Sequence, residues 1–386
     1  MAEADAAART STRTAVVGLS LNPTCGVRDH AELLAGALAE DGASTSFHWL
    51  LRRERSLRAS WSEIRPWTLT LARELTEQKP DAILLHYSVF TLSHKGLPVF
   101  VGPVLSTVRS AGVPVVTVMH EFAYPWRYGG WRGGVWAVTQ RGALIDVVRS
   151  SDGLIVTAAG RERWLRSRVW LPRRPVLSAP VFSNLPPPAA GAPGEPDGPT
   201  VGLFGYSYQG AACALVLDAL ASVRAQGIPA RLTLLGAPGP ESPAGRAWRS
   251  EAAARGLLAE VSFTGPLPSQ ELSDALASCD LLLFADTAGP SPRKGTLAGS
   301  LASGRPVVAI DGPLTWPELV GARALALAPP TAEGLGAAIA ALLGDEAERT
   351  ALGARGRAFS EREMGVSRTA RATQELLGRA LARREA

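Results

Sequence analysis

The sequence is poor in cysteine and in long apolar runs, and each shortage excludes a class of protein. The three cysteines are far apart and form no CxxC pair, which argues against a disulfide scaffold and against a cysteine-based zinc site. No apolar run reaches the about 18 residues that a membrane-spanning helix needs. We therefore expect a soluble protein in a reducing, cytoplasmic compartment.

Lysine is also scarce, although the chain is weakly basic. Only three of the 40 basic residues are lysine, and the formal net charge is +5. The excess of positive charge is small and is spread along an Ala- and Gly-rich chain, which favours a compositional bias over a nucleic-acid role, so no nucleic-acid partner is expected. The basic segment 161–174 could rest on an anionic membrane, but a solvated helix face is the favoured interpretation.

The 386 residues predict two domains joined by a linker. Residues 1–13 have no apolar core of the kind that a signal peptide needs and are interpreted as a disordered lead-in. The proline- and glycine-rich stretch 184–199 is the predicted linker. It separates an N-terminal domain, 14–183, from a C-terminal domain, 200–365.

Both halves alternate short apolar strands with amphipathic helices, which is typical of parallel α/β sheets. The predicted strands are 14–21, 81–86, 113–120 and 153–157, then 200–204, 231–235, 261–264, 281–285 and 307–310. The fold class expected is therefore α/β, with two Rossmann-like doubly wound domains facing a cleft. Ligands of such sheets bind at the carboxyl ends of the strands.

The strongest candidate site is the loop from Gly289 to Thr296, GPSPRKGT, which follows a predicted strand. Thr296 is interpreted as the N-cap of the next helix, whose free amides and dipole favour an anion. Arg293 and Lys294 add positive charge, and Gly295 lies beside them. The loop predicts a diphosphate site; an ordinary solvated loop is the alternative.

Glycine turns after the first strand of each half are weaker candidates. Gly205 begins the turn in the second half, and Gly26 holds the corresponding place in the first, where glycine permits close approach of a phosphate.

Polar side chains at strand ends of the first half are candidates for catalysis. His120 and Glu121 end one predicted strand, and His86 ends another with a weaker claim. Asp29 and His30 begin the first helix and are assigned to the acceptor side, although Asp29 is slightly favoured as a helix cap.

An aromatic segment, 122–136, follows Glu121 and contains Trp126. A tryptophan there could stack on a sugar-like acceptor, and the paired glycines would let the loop move. A loop packed on its own domain is an equally good interpretation.

The chain resembles the GT-B glycosyltransferases, particularly the family 4-like, or group 1, enzymes. The residues that carry the resemblance are the turn Gly205–Gly210, the segment Val261–Gly265, the segment Ser278–Phe284 and, most specifically, Gly299–Val308 (GSLASGRPVV). Cys25–Ala31 and Val118–Glu121 match more loosely. The resemblance implies a C-terminal helix, 366–386, that packs back on the N-terminal domain.

The resemblance also implies the roles of individual residues. The C-terminal domain would bind a nucleotide sugar through Tyr206, Gln209, Thr264 and Gly265 as well as through the Gly289–Thr296 loop, and no metal or other cofactor would be needed. His120 would contact the donor sugar, with Glu121 as a base or orienting group. The paired glutamates of the family are replaced by Ser291 and Gly299, so the stereochemical outcome stays open between retention and inversion.

The function expected is sugar transfer from a nucleoside diphosphate sugar to a hydroxyl-bearing small molecule, in bacterial specialised-metabolite or envelope glycan synthesis. A GT-B-like partner protein without activity is one alternative, motivated by the missing glutamates. A nucleotide-sugar epimerase of the same architecture is another.

Overall fold

The computed structural model describes residues 12–23, 25–126, 129–189, 198–206 and 211–385, which divide into two compact units. Unit 1 takes the described residues up to Pro180 together with those from Val366 onward, and unit 2 runs from Val181 to Gly365. None of the helices in these ranges has the length and apolar character needed to cross a bilayer.

Unit 1 is built on a parallel sheet of six strands in the order β2-β1-β3-β4-β5-β6. The strands are β1 (Arg13–Ser20), β2 (Ser44–Leu51), β3 (Ala82–Tyr87), β4 (Val115–Met119), β5 (Gly153–Val156) and β6 (Val176–Ser178). The helices are α1 (Gly26–Glu40), α2 (Leu57–Gln78), α3 (Val101–Ser110), α4 (Gly130–Ser150), α5 (Ala159–Arg166) and, from the chain end, α13 (Val366–Glu385).

Both faces of this sheet are covered, which explains why its central strands are almost continuously apolar. One face packs against α2, α3 and α4 in a core that includes Leu85, Leu71, Val104 and Leu144. On the other side α13 contacts α1, β4 and β5. The strands β2 and β6 were not predicted, because β2 is a half-buried edge strand and β6 has only three residues.

Unit 2 repeats the plan with a parallel sheet in the order β12-β11-β10-β7-β8-β9. Its strands are β7 (Thr200–Phe204), β8 (Arg231–Leu235), β9 (Val261–Gly265), β10 (Leu281–Phe284), β11 (Val307–Ile310) and β12 (Ala326–Ala328). Its helices are α6 (Ala211–Ala225), α7 (Pro243–Ala254), α8 (Ser269–Ser278), α9 (Gly295–Ala302), α10 (Pro317–Gly321), α11 (Ala332–Gly344) and α12 (Glu346–Glu363).

The predicted linker begins inside unit 2. Ala189 N donates to the Asp274 carboxylate at 2.7 Å, and Ser273 Oγ donates to the Pro186 carbonyl at 2.6 Å, so this stretch lies along α8. Linker residues 190–197 lie outside the described residues.

The aromatic segment 122–136 is a loop only in its first part. Helix α4 begins at Gly130, so residues 130–136 of the segment are helical. Gly129 supplies the start of the helix with a left-handed φ of +77°, a conformation that glycine tolerates. The paired glycines favoured a mobile loop, so the start of this helix was not predicted. Apolar residues further along the helix, such as Leu144 and Val148, are buried and stabilise it.

Helix α13 should contribute substantially to the stability of unit 1, although nearly 200 residues separate it from the rest of that unit. Leu376 is buried and packs over Gly153, where a Cβ atom would lie 3.2 Å from the leucine Cβ. Leu376→Ala should therefore lower the free energy of unfolding of unit 1 by about 2–5 kcal/mol.

Denaturant unfolding followed by tryptophan fluorescence measures this effect, because eight of the ten tryptophans precede residue 171. Leu69→Ala is the matched control, since Leu69 is 73% exposed on α2. Equal losses in the two variants would contradict the assigned packing of α13.

Candidate functional site

Strands β3 and β4 bring two histidines to the carboxyl edge of the unit 1 sheet. His86 of β3 pairs in register with Val118, and His120 comes two residues later, so the two-residue period places both side chains on one face. The His120 amide donates to the Tyr87 carbonyl at 3.0 Å, which extends the ladder past the end of β4. His86 Nδ1 and His120 Nε2 lie 3.1 Å apart, a hydrogen bond between the rings.

A third histidine reaches this pair from helix α1. His30 lies on the buried side of the helix, and its ring centroid is 5.0 Å from that of His120 and 5.7 Å from that of His86. One ring nitrogen of each histidine lies within 4.8 Å of the other two. We call these three residues the histidine cluster. The sequence carries a signal for His86, because this histidine ends a predicted strand, as His120 does.

Burial keeps the histidine cluster neutral. Burial and, to a smaller extent, the positive charge of neighbouring Arg161 lower the pKa of His120 to about 4. The pKa values of His30 and His86 lie well below the ordinary value because burial disfavours their charged forms, and their histidine neighbours act in the same direction. All three imidazoles are therefore unprotonated at neutral pH.

Polar contacts fix the chain that follows β4. Ser88 Oγ donates to Glu121 Oε2 at 3.1 Å. Arg161 of α5 donates to the His120 carbonyl at 2.9 Å and to Thr157 Oγ1 at 3.2 Å, and its guanidinium carbon lies 4.6 Å from the Phe122 ring centroid. Neither Ser88 nor Arg161 was singled out from the sequence, since the contacts of both depend on the fold.

The remaining acceptor-side candidates take different positions. Gly26 is the first residue of α1, and the N-cap is Cys25, so the interpretation of Asp29 as a cap is wrong. Asp29 lies in the first turn, where burial and Glu32 raise its pKa. Trp126 is exposed and stacks under the Arg141 guanidinium at 4.0 Å, outside the histidine cluster.

A pocket of about 280 Å³ adjoins the chain after His120. Its lining combines two aromatic rings, Phe122 and Trp164, with the guanidinium groups of Arg141 and Arg161. An aromatic wall beside two cations suits a ring-shaped ligand that carries negative or polar groups.

In unit 2, the loop between β10 and α9 holds the predicted anion-binding residues. Lys294 Nζ forms an ion pair with Asp286 Oδ2 at 2.8 Å, and Asp286 Oδ1 accepts from the Ala288 amide at 2.9 Å. Arg293 is half-buried and forms no ion pair within the described part of the chain. Asp286 was missed at the sequence level, where only the cations of the loop were considered.

The first turn of α9 has no side-chain cap. Its N-cap is Lys294, which makes no side-chain capping bond, so the prediction of Thr296 as the cap is wrong. Thr296 is instead the second residue of the helix and meets the glycine turn after β7. A Cβ atom on Gly205 would lie 2.6 Å from Thr296 Cγ2, and the φ of Gly205 is +72°. Only glycine fits there.

Two of the residues predicted to bind the donor have side chains that make internal contacts. Tyr206 is fully buried, and its hydroxyl accepts from the Gly239 amide at 2.8 Å, so its side chain belongs to the core rather than to a binding surface. Thr264 Oγ1 accepts from the Gly236 amide at 2.9 Å and donates to the Gly265 carbonyl at 3.0 Å. Gln209 lies outside the described residues.

The two positions that replace the paired glutamates are buried. A Cβ atom on Gly299 would lie 3.1 Å from Phe204 Cε1 and 3.4 Å from Leu185 Cδ1, so packing fills the space into which a longer side chain would extend. Ser291 is 4% exposed, and its hydroxyl has no hydrogen-bond partner in the described ranges.

Comparisons with known proteins agree with this architecture. Residues 198–345 match the family model described as glycosyl transferases group 1. A search of curated protein sequences finds no significant match.

Several solved structures are similar over nearly the whole chain. Sucrose-phosphate synthase from Thermosynechococcus elongatus is 17% identical with a TM-score of 0.71, and the match covers 96% of this chain and all of that one. Anabaena Alr3699/HepE in complex with UDP-glucose is 16% identical with a TM-score of 0.66, covering 94% and 99%. WaaG, a glycosyltransferase involved in lipopolysaccharide biosynthesis, is 14% identical with a TM-score of 0.67, covering 94% and 99%.

The neutral histidine cluster predicts that acid destabilises unit 1. The unfolded chain binds protons near the ordinary histidine pKa of about 6.5, whereas folded His120 binds one only near 4. Stability is therefore complete above about pH 6.5 and falls as the pH drops toward 4. We expect the urea concentration at the midpoint of unfolding to be lower at about pH 5 than at about pH 7. Tryptophan fluorescence in chelator-treated buffer follows the unfolding.

His120→Gln should flatten this pH dependence, because it removes one of the groups that resist protonation. His94→Gln is the control, since His94 lies outside the cluster, and it should leave the slope unchanged. The explanation fails if His120→Gln and the unchanged protein lose stability equally.

Proposed function

We propose that this chain, whose residues 198–345 match the group 1 glycosyltransferase family model, transfers a sugar from a nucleoside diphosphate sugar to a hydroxyl-bearing small molecule. Unit 2 binds the donor in this proposal, and unit 1 contributes the histidine at the end of β4 and the acceptor pocket.

The observation that carries the proposal is the uncapped N-terminus of α9 beside the glycine turn that follows β7. No side chain caps the helix, Gly205 lets the β7 turn approach Thr296, and half-buried Arg293 adds a positive charge. Free amides at a helix N-terminus bind anions, and a neighbouring guanidinium strengthens the hydrogen bonds. A diphosphate is the anion that this fold most often brings to the carboxyl edge of its strands.

The same groups supply the chemistry of the leaving group. Breaking the bond between sugar and diphosphate leaves negative charge on the phosphate oxygen. Arg293 and the helix dipole stabilise that charge as it develops, which is where electrostatic catalysis is most effective. Lys294 reinforces them while Asp286 holds it in place.

His120 and Glu121 are the proposed catalytic residues of unit 1. The neutral His120 imidazole can donate or accept a hydrogen bond, so it suits contact with a sugar hydroxyl. Glu121 orients the acceptor hydroxyl or accepts its proton. The pocket beside Phe122 and Trp164 is the proposed acceptor site, a role first assigned to Trp126.

Nucleotide binding tests the anion site directly. Because the Anabaena HepE structure contains UDP-glucose, UDP is the first ligand to use, followed by GDP, ADP and dTDP. One of them should raise the melting temperature of the chain, and Arg293→Ala should weaken its binding about 10- to 100-fold, the effect of losing one charged hydrogen bond.

Calorimetric titration of the stabilising nucleotide measures this loss. Arg362→Ala is a matched control, because Arg362 is an exposed arginine of the same unit on α12. Equal affinities for Arg293→Ala and Arg362→Ala would rule out the proposed anion site.

A GT-B-like protein without transferase activity is the second candidate, and one observation favours it. Phe204 and Leu185 fill the space around Gly299, where the family has a glutamate, and Ser291 replaces the other one. Donor contacts made by those carboxylates in relatives are therefore lost or are made by other groups here. Such a protein would bind a nucleotide and turn nothing over.

Turnover separates the candidates. With the nucleotide sugar selected by the binding screen and a panel of hydroxyl acceptors, we expect release of nucleoside diphosphate. We expect His120→Ala to lower kcat by about 100-fold or more while nucleotide affinity stays within about twofold. Release of nucleotide is measured enzymatically, and the sugar product by mass spectrometry.

Two other outcomes point elsewhere. Tight nucleotide binding with no release for any acceptor supports the partner-protein candidate. Conversion of the nucleotide sugar to an isomer without an acceptor supports an epimerase and contradicts sugar transfer.

A further inference from the structure

The histidine cluster is a larger feature than sugar transfer requires. A single strand-end histidine would serve the proposed reaction, yet three imidazoles from α1, β3 and β4 meet at one point. We propose that His30, His86 and His120 form a binding site for one divalent transition-metal ion of the Zn²⁺ type. The site lies entirely within unit 1, and its existence does not depend on the proposed function.

The spacing of the nitrogens fits a tetrahedral ion. Zn–N bonds of about 2.0–2.1 Å place two ligand nitrogens about 3.3 Å apart. His86 Nδ1 and His120 Nε2 are already 3.1 Å apart, and the ligand atom of His30 completes a triangle whose sides are all within 4.8 Å. Binding of one ion by all three rings requires any side longer than about 3.3 Å to shorten as the rings turn toward a common centre.

Hydrogen bonding alone leaves the cluster incompletely satisfied. The bond between His86 and His120 uses Nδ1 of His86, while His86 Nε2 is buried and has no hydrogen-bond partner among the described residues. His86 itself is 1% exposed. A buried polar nitrogen without a partner is unfavourable, so hydrogen bonding within the fold does not account for the burial of His86.

The chemistry of the three side chains also suits a metal of this class. Neutral imidazole is the form of histidine that ligates transition metals, and three imidazoles meet at this point. Nitrogen ligands favour Zn²⁺ and its neighbours over Mg²⁺ or Ca²⁺, which take oxygen. Three protein ligands leave the fourth tetrahedral position to water or another small ligand.

Two charged neighbours act on a cation here in opposite directions: the positive charge of Arg161, which also lowers the pKa of His120, disfavours it, and the Glu121 carboxylate favours it. Arg161 directs its guanidinium to the His120 carbonyl and the Thr157 hydroxyl. Glu121, which accepts a hydrogen bond from Ser88, follows His120 in the chain and adds negative charge near the cluster.

A bound ion would affect sugar transfer, and this consequence rests on the proposed function. A ring nitrogen of His120 that ligates the ion is not available to a sugar hydroxyl. Metal binding and the proposed role of His120 therefore compete, so Zn²⁺ would inhibit transfer.

Metal binding without any nucleotide tests the site and leaves the proposed function aside. The full chain is stripped with chelator, and Zn²⁺ is titrated calorimetrically near neutral pH. We expect one ion per chain, and binding at least about 100-fold weaker in His86→Gln and in His120→Gln, because each substitution removes a direct ligand. His94→Gln, which removes a histidine outside the cluster, should bind as tightly as the unchanged protein.

Titration with Co²⁺ gives a second measurement. The visible absorption spectrum of the bound Co²⁺ should show the intense bands of tetrahedral coordination in the unchanged chain and lose them in His120→Gln. His120 is the least buried of the three histidines, so its substitution should disturb folding least. The proposal is overturned if the chain binds no Zn²⁺ at micromolar concentration, or if either cluster variant binds it as tightly as His94→Gln.

Discussion

The parallel register of β3 and β4 is the constraint on which the unit 1 site depends. Five ladder positions align the strands, from Ile83 with Val115 to Tyr87 with Met119. A slip of one residue would turn His120 to the opposite face and separate it from His86. The apolar residues on both faces prevent that slip, because it would move each side chain out of the core on its own face of the sheet and into the core on the other face. Core packing thus fixes the relation of two polar side chains that do not themselves contribute to the core.

Unit 2 depends on an analogous but different constraint, the absence of side chains. The turn after β7 reaches α9 only because Gly205 has no Cβ and tolerates a left-handed backbone. The helix in turn carries Gly299 against Phe204, which closes the space beside the strand. The position of the α9 amides is therefore set by two glycines, whereas the positive charge comes from Arg293 and Lys294. Geometry and charge at this site are encoded by separate residues.

The sequence was sufficient for the central strands and for the order of elements, since buried parallel strands are continuous apolar runs. The strands β7, β8 and β11 were predicted at their observed bounds. Edge strands such as β2 and β6 lack that signal, and the glycines of α4 hid a helix that packing stabilises.

For the sites, residue type and strand end were enough to select His120 and the Arg293 loop. They could not show that His30 and His86 meet His120, because that contact joins three elements. They also could not show that Tyr206 turns into the core, since a tyrosine after a strand has no sequence mark of burial.

The histidine cluster opposes folding in one respect, and that opposition is informative. Three buried imidazoles give up hydration and depress one another's pKa values, so the folded state resists protonation that the unfolded chain accepts. Apolar residues at the same three positions would pack without this penalty. Desolvated groups with shifted pKa values are concentrated at functional sites, where a loss of stability is offset by binding or catalysis. A cluster that weakens the fold in acid is therefore expected at such a site. The cost to stability is thus an argument that the cluster has a ligand.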